Sequence, residues 1–159
     1  MGDIHVIEVP ERPTLGIRQV VRMSEIRTVF DTGFTRVLAV AQASGATLAG
    51  APYARYRGMP GETVDVEVGF PLEDAVPVDD PAVFPGSQPA ARVAEVVHTG
   101  DYDTLPGTYE RLLAWVAEQG MHPVEDFWEF YEAGPESDAD PSTWRTRVLV
   151  PVTGPELTR

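Results

Sequence analysis

Two stretches of this chain repeat one another, and the repeat restricts the fold more than any other feature. At an offset of 75 residues Val21 pairs with Val96, Ser24 with Thr99, Phe34 with Tyr109, Leu38 with Leu113, Gly45 with Gly120 and Tyr56 with Tyr131. Beyond an acidic loop carrying Glu132, Glu136, Asp138 and Asp140 the offset grows to 80, so that Pro71 pairs with Pro151. The extra residues therefore fall in that loop. A period of this size means two copies of one supersecondary unit. Neither copy could bury both a sheet face and a helix well alone, so the two are expected to pack as one pseudo-symmetric α+β domain, with a cleft between the halves as the natural ligand site.

Each half reads strand, helix, strand, strand. Ile4–Val9 is expected as a first strand, with Pro10 and Pro13 bracketing a turn, and Leu15–Met23 as a second. Ser24 is the expected N-cap of a helix in which Ile26, Val29, Phe30, Phe34, Val37, Leu38 and Ala41 share one apolar face, and Gly45 stops it. Tyr53–Arg57 and the alternating Thr63–Phe70 follow as strands, joined by a turn at 58–61. Residues 71–89 hold five prolines and read as a connector with room for a short edge strand. Ala91–His98 is a strand and Thr104–Gln119 a helix with Pro106 in its first turn and Gly120 beyond its end. Asp126–Tyr131 and Trp144–Val150 are the last two strands, with Pro151 closing the second. The modules then cover about 3–71 and 90–152, with 72–89 between them.

Composition removes several function classes. The formal net charge is −13, with twelve arginines, no lysine and a pI near 4.5. Direct nucleic-acid binding, which rests on neutralising phosphates, is not expected. Without cysteine there is no disulfide, thiol nucleophile or thiolate metal site. No run is long enough to span a membrane and the N-terminus lacks a signal-peptide pattern, so a cytoplasmic location is expected by default. His5, His98 and His122 are scattered without ligand spacing, so neither a metal nor a cofactor is expected. Ser24 and Ser44 lack a paired base.

The most informative stretch is Asp126-Phe127-Trp128-Glu129-Phe130-Tyr131, a carboxylate among four aromatics. On a strand, Phe127, Glu129 and Tyr131 face one way and Trp128 and Phe130 the other. An acid framed by aromatics suits a pocket for a flat, cationic molecule, or a carboxyl with a shifted pKa; a Glu facing water on a half-exposed strand is the bland alternative. The repeat gives Ala54 as the counterpart of Glu129, so the fold itself does not demand an acid there.

The repeat, together with Gly45–Tyr56, Asp65–Pro71, His98–Tyr102, Glu129-Phe130-Tyr131 and Trp144-Arg145-Thr146, resembles the GyrI-like small-molecule-binding domain. The resemblance runs over roughly residues 3–152. It implies two βαββ modules forming one curved antiparallel sheet with two helices and a central cleft that takes hydrophobic, often cationic, compounds. It also implies that Glu129 is the buried acid of the pocket, with Tyr131, Tyr56, Tyr109, Phe34 and Trp144 as aromatic walls. Many relatives carry a Glu where this chain has Arg147. Arg147 is therefore expected to pair with Glu67, its repeat partner, with Glu129, or with a ligand.

The resemblance implies a stand-alone ligand-binding protein, all of its length being used by the two modules. Some stand-alone members hydrolyse reactive cyclopropane-bearing toxins; in that reading Glu129 is the general base and Tyr131 or Tyr109 steadies the developing oxyanion. A third reading is an interaction module, a gyrase inhibitor or a partner of a separate transcription regulator, whose acidic surface imitates nucleic acid.

Overall fold

A computed structural model of the chain describes residues 3–58, 60–134 and 138–154. The strands are β1 (His5–Val9), β2 (Arg12–Arg22), β3 (Tyr53–Arg57), β4 (Thr63–Pro71), β5 (Phe84–Gln88), β6 (Ala91–Thr99), β7 (His122–Pro123), β8 (Asp126–Ala133) and β9 (Arg145–Thr153). The helices are α1 (Ile26–Ala43) and α2 (Leu105–Glu118). The fold is α+β, and the pairings within each of its two compact units are antiparallel.

One unit comprises Pro10–Ala90. In it β4 lies between β2 and β3, and β5 adds to the other edge of β2. Leu15 and Ile17 of β2, Val37 and Ala41 of α1, Phe70, Leu72 and Val83 form its buried core. The proline-rich connector contributes more than linkage: it supplies the edge strand β5, and Val76, Val78 and Val83 pack into the core.

The other unit comprises Met1–Val9 and Ala91–Arg159. Here β6 lies between β1 and β9, and β9 also pairs with β8 and β7. The opening strand, read from sequence with the first module, thus hydrogen-bonds β6 of the second. Leu112 and Val116 of α2 are fully buried, each contributing on the order of 1.5–3 kcal/mol. Pro151 does not close β9. It sits opposite Val93 while its carbonyl accepts from Val124 N at 2.8 Å, and β7 carries the pairing on to Thr153.

Registers test the repeat residue by residue. In one unit Tyr53, Ala54, Arg55 and Tyr56 oppose Gly69, Val68, Glu67 and Val66; in the other Trp128, Glu129, Phe130 and Tyr131 oppose Leu149, Val148, Arg147 and Thr146. Offsets of 75 and 80 hold at every one of these positions; the extra residues lie between β8 and β9, after a register irregularity between Tyr131 and Ala133 at the end of β8. The pairing of Val21 with Val96 and Ser24 with Thr99 does not hold. Ile17 opposes Val68 as Val96 opposes Val148, an offset of 79. The cause is helix length. α1 has 18 residues and α2 has 14, one turn fewer, and the offset returns to 75 at the left-handed glycines Gly45 and Gly120 that end them (φ 72° and 76°).

Ser24 does not cap α1. It lies in a 3₁₀ turn, Met23–Glu25, because the sheet holds the chain through Met23 N–H, which donates to Glu62 O at 2.9 Å; α1 begins only at Ile26. A matching turn, Tyr102–Thr104, precedes α2 and is capped by Asp101, whose side chain accepts from Thr104 N. Of the residues read as a turn at 58–61, Met59 lies outside the described residues, as does Glu136 of the acidic loop.

Candidate functional site

The site is built on β8. Side-chain alternation puts Phe127, Glu129 and Tyr131 on the face that α2 covers, and Trp128 and Phe130 on the other, where their rings stack at 6.1 Å and 8°. Glu129 is only 5% exposed, so it is not a strand carboxylate facing water. Each of its oxygens accepts from a phenol: Tyr109 Oη of α2 donates to Oε2 at 2.6 Å, and Tyr131 Oη donates to Oε1 at 2.6 Å. Burial, which penalises the charged form, is the largest influence and raises the Glu129 carboxyl above its ordinary range; the two phenol donors oppose it.

Aromatic rings continue outward from this carboxylate. Tyr109 lies 6.0 Å from Phe127, and Tyr131 meets Tyr102 edge-on at 6.2 Å. Tyr102 is exposed and lies 5.2 Å from Trp144. Trp144 is fixed in turn by its indole N–H, which donates to Asp138 O at 2.8 Å. The acidic loop is thus ordered at this end: Asp140 accepts from Ser142 N at 3.0 Å and Ser142 Oγ at 2.9 Å, bonds that hold its carboxyl below the usual range. Together these groups present an aromatic wall leading to one buried, doubly bonded carboxyl.

Arg147 belongs elsewhere. Opposite Phe130 in the register, it points away from Glu129; its Nε donates to Glu95 Oε2, and its guanidinium carbon sits 5.8 Å above the Phe130 ring. Its partner is neither Glu67 nor Glu129, because Glu95 on the neighbouring strand β6 shares its face. Glu67 is likewise occupied within its own unit. It is 1% exposed, accepts from Tyr53 Oη, and has Arg57 Nη2 at 2.7 Å from Oε1. Burial first, then the charge of Glu67 and their hydrogen bond, push the Tyr53 phenol well above its ordinary value. Phe34 packs edge-on against Phe30 and Phe70 at 5.7 and 6.0 Å, beside the core of its unit, and Tyr56 is half-buried on β3.

From sequence, His98 and Tyr102 have no role in the site beyond their place in the His98–Tyr102 motif, and nothing singles out Glu95. His98 is 3% exposed and fully engaged: Nδ1 lies 2.6 Å from Thr108 Oγ1, and Nε2 lies 2.9 Å from Asp101 O and 3.1 Å from Thr104 Oγ1. The carbonyl at Nε2 requires a donor there, and Nδ1 shares one hydrogen bond with the threonine hydroxyl. Among the described residues no three His, Asp or Glu side chains converge as a metal would require.

The structure thus joins a buried acid beneath aromatic rings to a strand–helix–strand–strand repeat of the α+β class. Residues 2–153 match the GyrI-like small molecule binding domain, and the chain belongs to that family. No curated protein sequence matches it. Among solved structures, the C-terminal domain of EcmrR is similar with a TM-score of 0.84 at 22% identity, covering 96% of this chain and 98% of that one. EcmrR in its DNA complex gives 0.83 at 24%, covering 94% of this chain; the present chain spans 57% of that longer protein. SAV2435 bound to tetraphenylphosphonium gives 0.65 at 11%, covering 96% and 94%. At these identities the likeness is one of fold. No helix among the described residues is long and apolar enough to cross a membrane.

Proposed function

We propose that the protein binds a hydrophobic, aromatic small molecule, with a preference for cations, against Tyr102, Tyr109, Tyr131 and Trp144, and that Glu129 is its polar anchor. The observation that carries this reading is the environment of Glu129: a buried carboxyl whose two hydrogen-bond donors are neutral phenols, while Arg147 is engaged on the opposite sheet face. Its charge is therefore left to attract a ligand cation, and low surrounding polarity strengthens that attraction. Tetraphenylphosphonium, bound by the structurally similar SAV2435, is the natural probe. Calorimetric titration should show saturable binding of tetraphenylphosphonium and weaker binding of neutral triphenylphosphine oxide. Equal affinity for both, unaltered in Glu129→Gln, would remove the electrostatic role.

The raised Glu129 carboxyl beside two phenols also suits acid–base work, which favours hydrolysis of a strained electrophile as the second reading. Glu129 would then orient and deprotonate water, and Tyr109 or Tyr131 would donate to the developing oxyanion. Turnover of a cyclopropane-bearing electrophile that collapses in Glu129→Gln while binding persists would establish it; turnover at the parental rate would eliminate Glu129 as the base.

A further inference from the structure

His98 ties together three pieces of chain that carry the site. Its β6 ring reaches Thr108, the residue before Tyr109, and the turn Asp101–Thr104, which contains Tyr102. One buried side chain thus touches the immediate neighbours of both the inner phenol and the outer rim ring.

The other module shows that the fold does not need this arrangement. Counting from the shared C-terminal glycines, Thr108 corresponds to Gly33, and the buried rows Gly33, Val37, Ala41 and Thr108, Leu112, Val116 match. A Cβ at Gly33 would lie 2.5 Å from Val68 Cγ2, so α1 rests directly on β4 as well as on β2, the counterpart of β6. α2 packs on β6, where Thr108 hydrogen-bonds His98, and reaches β8 through Tyr109. At the strand offset of 79, the counterpart of His98 is the exposed Gln19. The polar pin exists only in the module that carries the buried acid.

We infer that His98, acting with Thr108, is a positioning residue that props α2 over β6 and so fixes Tyr109 on Glu129 and Tyr102 at the rim. Its consequence for ligand affinity rests on the function proposed above; its effect on Tyr109 does not. A hydroxyl at position 108 and the ring nitrogen Nδ1 of His98 are the two groups required.

The test uses protein labelled at the ζ carbon of tyrosine, whose chemical shift reports the phenol's hydrogen bond, and titration with tetraphenylphosphonium. Thr108→Val keeps the shape and removes the hydroxyl; His98→Gln keeps a donor for Asp101 and loses the ring nitrogen that bonds Thr108. Both should move the Tyr109 resonance toward that of a solvated tyrosine, and each should raise the tetraphenylphosphonium Kd about tenfold, the scale of one lost buried hydrogen bond. Thr108→Ser should restore both readings. An unmoved Tyr109 resonance in both variants overturns the inference, and so does a Thr108→Ser protein that behaves like Thr108→Val, since packing alone would then explain the loss. If the parent fails to bind tetraphenylphosphonium, the proposed function falls, and the Tyr109 resonance still decides the role of His98.

Discussion

Ala54 and Glu129 occupy the same place in two copies of one strand pair: Ala54 opposes Val68, and Glu129 opposes Val148. Both are buried. The small side chain is what the fold needs there, and the carboxyl is an addition made in one copy. Burying a carboxyl works against stability unless its oxygens are satisfied, and the two phenols that satisfy Glu129 come from β8 and α2. The site is therefore a local departure from the repeat.

Glu129→Gln preserves shape and removes charge. Tetraphenylphosphonium affinity should fall about 10- to 100-fold, as expected for loss of an attraction in a poorly solvated site, while a neutral aromatic of similar size should bind almost as before. Calorimetric titration of both ligands checks this.

The same substitution should stabilise the protein at neutral pH. Burial raises the folded-state carboxyl above its unfolded value, so folding favours the protonated form. That contribution is complete below the unfolded pKa, near 4.3, and is lost as pH rises through the higher folded value. The Tm of Glu129→Gln relative to the parent should therefore increase from about pH 4 to about pH 8. A difference that stays constant across this range would show that Glu129 titrates alike in both states.

Arg147→Gln should leave tetraphenylphosphonium binding nearly unchanged, because the guanidinium lies over Phe130 and on Glu95, on the face opposite Glu129. It should cost stability, about 1–3 kcal/mol, by leaving the largely buried Glu95 carboxyl with only the exposed His5 Nε2, 3.1 Å from Oε1. Urea denaturation alongside ligand titration separates the two effects.

Tyr53→Phe removes the donor to Glu67 Oε2 within a fully buried environment. The expected loss is about 1–3 kcal/mol, read as a lower urea midpoint at unchanged m. The Arg57 contact keeps Glu67 from being left wholly unpaired.

Gly69→Ala should be far more damaging. A Cβ there would lie 2.0 Å from Leu15 O and 2.8 Å from Gly16 Cα, both backbone atoms of the neighbouring strand, which cannot rotate away. The β2–β4 pairing would have to separate at the centre of its unit, and a loss above about 4 kcal/mol is expected. Soluble expression and a melting curve suffice to check it.

Most elements and the repeat were legible because they depend on local pattern. Alternation revealed Thr63–Phe70 and Asp126–Tyr131, and the left-handed glycines 45 and 120 marked both helix ends. The offset failed at β2 and β6 because the extra turn of α1 lies at its start, where an apolar face continues without any break that a sequence displays. Ser24 misled for a related reason: the sheet pairing at Met23 outweighed a good cap.

By itself the sequence determined the α+β repeat, the alternation that turns Glu129 toward one face, and the absence of cysteine chemistry, since these follow from residue type and spacing alone. Partnership was decided only in three dimensions. Arg147 found Glu95 across 52 residues, Glu67 found Tyr53 and Arg57, and the apparently isolated His98 became the link between β6, the turn at Tyr102 and α2. The physical reason is that hydrogen bonds and ion pairs act over about 3 Å. Which side chains come that close depends on strand register and helix placement, and a linear pattern fixes neither.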